Sequence, residues 1–144
     1  MSDAGPSGYS STPLVRKLGI KPDARLGLIG APADFERTLG ELPEGVTVLR
    51  RAAQSLDVIV AFCVWRDELE RRLPRLRAAL QPAGGLWIAW PKRTSSVDSD
   101  LTDAVVRDVG LGAGLVDNKV CAIDATWSGL RFVVRLRDRP PTPA

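Results

Sequence analysis

The run from Leu56 to Val64 constrains the fold more than any other stretch of the chain. Apart from Asp57 it is apolar, and it is rich in β-branched and aromatic side chains. A run of this length and character is typical of a strand buried on both faces, which in soluble proteins usually lies in the middle of a parallel sheet with helices on each side. We therefore predict a layered α/β domain in which this segment is a central strand.

The segments on either side have the patterns of the remaining elements. Short apolar segments indicate strands, and apolar residues at helical spacing behind a proline or capping residue indicate helices. Predicted strands cover residues 25–30, 46–50, 56–64, 86–90, 119–123 and 130–134, and predicted helices cover residues 11–20, 31–42, 67–80 and 101–110. Asp67 with Glu70 predicts a capping box, Asp98 or Asp100 a helix cap, and Pro74 a kink or a second helix start. The last two strands are close enough in sequence to form an antiparallel hairpin.

Length and composition fit one domain. The chain has 144 residues, of which 44% are hydrophobic, enough to bury a core without disulfides or a structural metal. Residues 1–8 and 137–144 have the small, polar or proline-rich composition of disordered ends, which leaves residues 9–136 as a single α/β domain. Because the sequence has no apolar run long enough to span a bilayer and no secretion signal at its start, we expect a cytoplasmic protein without a membrane partner.

The sequence contains no histidine, and this excludes several kinds of site. A Ser-His-Asp or Cys-His nucleophile system, a zinc site with histidine ligands and a histidine general base are all ruled out. Cys63 and Cys121 lie in predicted strands, away from any CxxC spacing, so we predict small buried thiols rather than a redox pair. Chemistry would depend on Asp, Glu, Lys, Arg or Tyr side chains or on a cofactor.

Positive charge slightly exceeds negative charge, with a net charge of +3 and a pI near 9.2. The two signs are interspersed along most of the chain, so a nucleic-acid partner is not favoured. The best candidates for such a surface are Arg71, Arg72, Arg75 and Arg77 on one predicted helix. Glu68 and Glu70 lie among them and favour an ordinary solvated face instead.

The order of the elements resembles a class I methyltransferase fold with one βα unit missing. Residues 21–30 look like the first turn and strand of that fold, and residues 112–134 are similar to its closing strands. Residues 30–35, 90–92, 116–124 and 126–130 also resemble an uncharacterised bacterial family known only as a domain of unknown function. These resemblances imply a single Rossmann-like three-layer α/β domain, similar to a shortened methyltransferase, whose mostly parallel sheet ends in an antiparallel hairpin.

The methyltransferase resemblance implies a Gly-rich loop after the first strand and an acidic residue at the end of the second, which together hold S-adenosylmethionine. Here the first strand is followed by Gly30-Ala31-Pro32, and the second ends in Arg50 and Arg51. Both signatures are absent, so we expect no cofactor. Residues 110–114 spell GLGAG, but a capped helical pattern precedes them and a strand follows, which predicts a helix end rather than a nucleotide-binding loop.

In open α/β sheets ligands bind beyond the carboxyl ends of the parallel strands. The candidate ligand-binding residues at those ends are Gly30, Ala31, Arg51, Trp65, Lys92, Arg93, Asp124, Trp127 and Ser128. The indoles can stack on a planar ring while the cations meet a carboxylate or phosphate, or the indoles can cover the sheet edge while the cations face water. Residues 117–119, Asp-Asn-Lys, are predicted as a turn at the opposite edge.

These observations predict a non-catalytic module that binds a small anionic or nucleotide-like ligand or a protein partner. One alternative is an S-adenosylmethionine-dependent methyltransferase with an atypical cofactor loop, in which Lys92 or Asp124 is the acid or base. Another alternative is a nucleic-acid-binding protein. We assign no catalytic residue and no metal ligand, and the absence of enzymatic activity is favoured over its presence.

Overall fold

A six-stranded sheet lies in the middle of the domain. In this computed structural model, which describes residues 12–140, the strands are β1 (Arg25–Ile29), β2 (Thr47–Leu49), β3 (Leu56–Phe62), β4 (Leu80–Pro91), β5 (Leu115–Ala122) and β6 (Trp127–Val134). Their order in the sheet is β2-β1-β3-β4-β6-β5. The first four strands pair in parallel, and β6 pairs antiparallel with both β4 and β5. The predicted fold class, a mostly parallel sheet that ends in an antiparallel hairpin, is confirmed.

Helices cover both faces of the sheet. They are α1 (Leu14–Lys17), α2 (Phe35–Leu39), α3 (Arg66–Ala79) and α4 (Asp103–Gly112). On one face α1 and α2 pack against Val58 and Val60 of β3, and on the other α3 and α4 pack against Ile59 and Ala61. Successive residues of β3 thus face opposite layers, and all of them are buried except Asp57, which is half-buried. The predicted central strand and three-layer arrangement are confirmed.

Parts of the predicted chain ends, residues 1–8 and 141–144, lie outside the described residues. Within the predicted C-terminal tail, Leu136–Asp138 form a 3-10 turn, and Arg139 Nε donates a hydrogen bond to the carbonyl oxygen of Val134 at 3.0 Å. None of the helices between residues 12 and 140 has the length and apolar character that a membrane crossing requires.

Helix α3 differs from its prediction at its start and at Pro74. Its N-cap is Trp65, whose side chain makes no capping hydrogen bond, so the predicted capping box at Asp67 is wrong. Pro74 lies inside one helix that continues to Ala79 and does not start a second one. Because Pro74 is exposed, the carbonyl oxygen of Glu70, which loses its helical partner, faces water and can bond to it.

Helix α4 begins later than predicted because Thr102 caps it. The Thr102 side chain accepts a hydrogen bond from the Val105 N–H at 3.2 Å. Asp100, one of the two predicted caps, instead accepts a hydrogen bond from the Arg66 N–H at 2.7 Å. The predicted cap at Asp98 or Asp100 is therefore wrong, and the carboxylate of Asp100 links the start of α4 to the start of α3.

The glycines of the GLGAG segment belong to the end of α4. The helix continues through Gly110 to Gly112, so the prediction that Gly110 closes it is wrong. A Cβ at Gly110 would lie 2.2 Å from a ring carbon of Phe132 on β6. Gly110 therefore serves the close approach of α4 to the sheet, and the segment does not form a loop between a strand and a helix.

Helix α2 is shorter than the predicted helix over residues 31–42, and β4 is longer than the predicted strand. Gly40 ends α2 with a φ of +77°, a conformation that glycine adopts without strain.

Leu80 begins β4 opposite Leu56, and a bulge then places Gly85 opposite Val58. Because α3 ends at Ala79 and β4 begins at Leu80, the strand follows the helix without an intervening loop.

Asp117, Asn118 and Lys119 lie inside β5, so the predicted turn is wrong. The register of β5 against β6 shifts between Asp117 and Lys119, which marks a β-bulge. Asp117 accepts a hydrogen bond from Arg107 Nε at 3.0 Å, and Asn118 accepts one from Arg131 Nη1 at 3.3 Å. Pairing with β6 thus outweighs the local turn propensity of these residues.

Candidate functional site

The carboxyl ends of the parallel strands form the edge at which open α/β sheets bind ligands. β1 leads through α2 to β2 on one side, and β3 leads through α3 to β4 on the other. The crevice between the carboxyl ends of β1 and β3 is therefore the topological switch point of this sheet. Gly30 follows β1 at this crevice with a φ of +67°.

The side chain of Arg72, from α3, fills this crevice. Its Nη1 donates a hydrogen bond to the carbonyl oxygen of Phe62 at 3.0 Å, and its Nη2 lies 3.1 Å from Glu68 Oε2. Glu68 Oε1 in turn accepts a hydrogen bond from the Val64 N–H at 2.9 Å. A Cβ at Gly30 would lie 3.1 Å from the Phe62 oxygen and 3.2 Å from Arg72 Nη1. The space beside Gly30 is thus taken by a guanidinium group of the chain itself.

The sequence analysis did not predict that Glu68 and Arg72 lie at the switch point. The i,i+4 spacing signals an ion pair on a helix, but the mixed charges around it favour a solvated face. The two side chains are only 23% and 32% exposed. Arg77, another member of the predicted basic face, lies 3.5 Å from the Cβ position of Gly114. The four arginines of α3 therefore do not share one free face.

Three of the predicted ligand-binding residues, Lys92, Arg93 and Ser128, line one pocket of about 540 Å³. We call it the α4 pocket, because Thr102, Asp103 and Ala104 at the start of α4 also line it. The remaining lining residues are Trp90, Thr94 and Val120. Within residues 12–140 neither Lys92 nor Arg93 forms an ion pair, whereas Asp103 pairs with Arg107.

The α4 pocket has the donors that an anion requires. The N–H groups of Asp103 and Ala104, in the first turn of α4, have no carbonyl partner inside the helix, and the helix dipole places positive charge there. Hydroxyl groups of Thr94 and Ser128 can each donate one hydrogen bond. Together with the two cations, these groups make the pocket suited to a carboxylate or phosphate.

The loop between β4 and α4 is fixed to the end of β3. Ser99 Oγ donates a hydrogen bond to the carbonyl oxygen of Val64, and Leu101 is buried. The carboxylate of Asp100 also holds the Arg66 N–H. The loop that carries Arg93 and Thr94 is therefore anchored at its far end, which limits the motion of one wall of the α4 pocket.

Asp124 and Trp127 shape the turn between β5 and β6. Asp124 Oδ1 accepts hydrogen bonds from the N–H groups of Thr126 and Trp127 at 2.8 and 2.9 Å. The Trp127 ring packs edge-on against Phe62, with ring centroids 5.1 Å apart and an interplanar angle of 88°. Both side chains thus have structural partners, and their predicted role in ligand binding stays a prediction.

The other predicted residues lie apart from the α4 pocket. Gly30 and Ala31 follow β1 at the switch point. Arg51 follows β2, at the far edge of the sheet and about 14 Å from β4, given a spacing of about 4.8 Å between strands. Trp65 follows β3 and is 47% exposed. The structure therefore brings together some of the predicted residues and separates the rest.

Cys63 lies beside the switch point, with its Sγ 4.0 Å from Arg72 Nη1. Burial raises the pKa of its thiol to about 11, against a smaller lowering by Arg72. Cys121 is only half-buried, so the prediction of a buried thiol is confirmed for Cys63 alone. Burial also raises the pKa of Cys121.

We expect a thiol reagent at pH 8 to modify Cys121 first and Cys63 only when the protein unfolds. At that pH the Cys63 thiol is protonated because burial raises its pKa to about 11, and Cys63 has no exposed surface. Mass spectrometry of protein labelled with and without urea measures the two rates, and a Cys121→Ser variant isolates Cys63. Rapid modification of Cys63 in the folded variant would contradict the buried position.

No family model matches the chain, and no curated protein sequence matches it. Solved structures do match. The chain is similar to a SAM dependent methyltransferase from Aquifex aeolicus, at 14% identity and a TM-score of 0.63 over 84% of this chain and 88% of that one. It is similar to the ribosomal protein L11 methylase from Lactobacillus delbrueckii subsp. bulgaricus, at 10% identity and a TM-score of 0.57 over 85% of this chain and 75% of that one. It is also similar to magnesium protoporphyrin IX methyltransferase from Synechocystis PCC 6803, at 10% identity and a TM-score of 0.53 over 85% of this chain and 78% of that one.

These neighbours confirm the methyltransferase-like fold. At 14% identity or less, the likeness shows the fold alone. Their activity agrees with the alternative prediction, a methyltransferase, better than with the main prediction of a non-catalytic module. The resemblance to an uncharacterised bacterial family has no support from the family models.

Structures with this fold include a SAM dependent methyltransferase, but the residues at the switch point of this chain do not fit S-adenosylmethionine. The cradle that Gly30 offers is filled by the Arg72 guanidinium, which is paired with Glu68. β2 ends at Leu49 and is followed by Arg50 rather than by an acidic residue, and the carboxylate of Glu36 that lies there is paired with Arg50 instead of being free for ribose hydroxyls. We therefore derive no methyl-transfer step from this site.

Proposed function

We propose that this chain is a ligand-binding domain on a methyltransferase-like scaffold, and that it binds a small anionic, nucleotide-like ligand in the α4 pocket. The observation that carries the proposal is the pair of cations, Lys92 and Arg93, on the wall of that pocket without an ion-pair partner among residues 12–140. Charged side chains that converge on a concave site without internal partners are typical of ligand recognition.

The size and surroundings of the pocket support a ligand larger than a simple ion. Its volume of about 540 Å³ lies within the range of small-molecule sites. Val120 is 59% exposed and supplies an apolar wall. Trp90, which is 5% exposed, also lines the pocket and adds a second apolar surface. A nucleoside monophosphate combines a negative charge for the two cations with a ring that these apolar surfaces can contact.

The proposal is tested by calorimetric titration with adenosine monophosphate, inorganic phosphate and adenosine. We expect saturable binding of the monophosphate and weaker binding of adenosine, which lacks the charge. The double variant Lys92→Gln, Arg93→Gln should bind the monophosphate about a hundredfold or more weakly, because two charge-assisted hydrogen bonds are lost and each is worth about 1.5–3 kcal/mol.

A matched control is Arg71→Gln, which removes an exposed arginine of α3 that lies outside the pocket. This variant should bind the monophosphate as the unmodified chain does. Equal losses in both variants would show that general charge, not the pocket, governs binding. Absence of binding at millimolar monophosphate would overturn the proposal.

A second candidate function, S-adenosylmethionine-dependent methyl transfer, is favoured by one observation: the fold is shared with solved methyltransferases. Titration with S-adenosylhomocysteine separates the two candidates. Saturable binding that shifts the side-chain NMR resonances of Arg72 and is unaffected by the Lys92→Gln, Arg93→Gln substitutions would support the second. Binding of the monophosphate alone, lost in the double variant, would support the first.

A further inference from the structure

A second pocket, of about 360 Å³, lies at the opposite edge of the sheet, at the amino ends of the parallel strands. Gly19, Lys21 and Asp23 line it from the connection between α1 and β1, and Asp57, Gly84 and Arg131 line it from β3, β4 and β6. We call it the amino-edge pocket. It shares no lining residue with the α4 pocket.

Arg131 lies in the amino-edge pocket without a carboxylate partner. Its Nη1 donates a hydrogen bond to the neutral Asn118 side chain at 3.3 Å, and no described residue forms an ion pair with it. Burial and the nearby charge of Arg139 lower its pKa. A half-buried guanidinium with only a neutral partner is costly, and the second arginine increases that cost.

A glycine makes room for this guanidinium. Arg131 stands opposite Trp87 in the pairing of β6 with β4. A Cβ at Gly85 would lie 2.3 Å from Arg131 Nε and 2.5 Å from Nη2. The guanidinium therefore lies directly against the backbone of β4, where any other residue would displace it.

Asp57 supplies the opposite charge on another wall of the amino-edge pocket. It is half-buried, and its Oδ2 accepts a hydrogen bond from the Arg25 N–H at 2.9 Å. No ion pair joins Asp57 to Arg131 within the described chain. A carboxylate and a guanidinium thus line one pocket without meeting each other, so a ligand that carries both signs of charge can pair with both.

We propose that the amino-edge pocket binds a small zwitterion of the α-amino acid class, whose carboxylate pairs with Arg131 and whose ammonium group pairs with Asp57. The guanidinium edge offers two N–H groups to a carboxylate, and the free oxygen of Asp57 accepts from the ammonium group. A Cβ at Gly19 would meet nothing within 4 Å, so the space beside Gly19 leaves room for a small side chain of the ligand. This site is independent of the α4 pocket and of the function proposed for it.

The test is an NMR titration of the full chain with L-alanine. The Trp87 indole is a suitable reporter because its Nε1 donates a hydrogen bond to the carbonyl oxygen of Leu18, next to Gly19, at 3.0 Å. We expect saturable shifts of the Trp87 indole and Arg131 Nε resonances. Acetate and methylammonium, each with one charge, should bind about tenfold or more weakly, because each loses a charge-assisted interaction worth about 1.5–3 kcal/mol.

Two conservative variants test the two walls of the pocket. Arg131→Gln and Asp57→Asn should each weaken alanine binding about tenfold or more, and the amide introduced by Asp57→Asn still offers an oxygen to the Arg25 N–H. A thermal melt confirms that each variant is folded. The Lys92→Gln, Arg93→Gln double variant should bind alanine normally, which separates this proposal from that for the α4 pocket. Acetate binding as tight as alanine, unchanged affinity in Asp57→Asn, or no binding at high millimolar alanine would overturn the proposal.

Discussion

Replacing Gly110 with alanine is expected to lower the free energy of unfolding by about 2 kcal/mol, within the range for overpacked cores. The added Cβ would lie within 3 Å of three ring carbons of Phe132, which is fully buried in the sheet. The gain in helix propensity, about 1 kcal/mol at most, is too small to offset this overlap. Urea unfolding followed by tryptophan fluorescence measures the change.

Gly112 is the matched control, since it lies in the same helix and a Cβ there would meet nothing within 4 Å. Gly112→Ala should therefore leave stability unchanged or raise it by up to about 1 kcal/mol. Opposite signs for the two variants would support the packing of α4 on β6. If both variants were equally stable, Gly110 would not be a packing residue. Its contact with Phe132 would then not explain why the GLGAG segment ends a helix instead of forming a binding loop.

Replacing Glu68 with alanine should lower the free energy of unfolding by about 2 kcal/mol, within the range of about 1–3 kcal/mol for a buried polar group left without its partner. Two donors lose their acceptor: the Val64 N–H and the Arg72 guanidinium. Both lie at the crowded switch point between β1 and β3, where water cannot replace the carboxylate freely. Urea unfolding at neutral pH measures the loss.

Glu70→Ala is the control on the same helix, because the pair of Glu70 with Arg66 is exposed, with side chains 51% and 44% exposed. Its cost should be about 0.5 kcal/mol or less. Formate should restore part of the stability of the Glu68 variant and none in the Glu70 variant, since only the former leaves a shaped space for a carboxylate. Equal costs in the two variants would show that the Glu68–Arg72 pair does not hold the crevice closed.

The fold was predictable because its evidence is local in the sequence. A local pattern of apolar residues identifies several strands without knowledge of their neighbours. These are β3, the strand that ends before Gly30 and the two closing strands. The turn at Gly30 also followed from one residue type. Errors occurred at element boundaries, where several capping residues compete. Thr102 caps α4 rather than Asp98 or Asp100, because Asp100 is engaged by the start of α3.

The candidate site was predictable only in part. The topological rule placed Lys92, Arg93 and Ser128 at one sheet edge, and the structure joins them in the α4 pocket. The same rule could not say that Arg51 lies at the far edge of the sheet, because strand order is a long-range property. Nor could it find the Glu68–Arg72 pair, whose position depends on how α3 is rotated against the sheet.

The sequence by itself determined the class of the domain, its central strand and the absence of histidine chemistry, because these depend on composition and on patterns within short segments. Only the tertiary structure decided that Arg72 closes the crevice beside Gly30 and that Arg131 and Asp57 line one pocket without pairing. The physical reason is that the packing of helices and strands sets the burial of charged groups and the distances between them, and no single segment encodes either quantity.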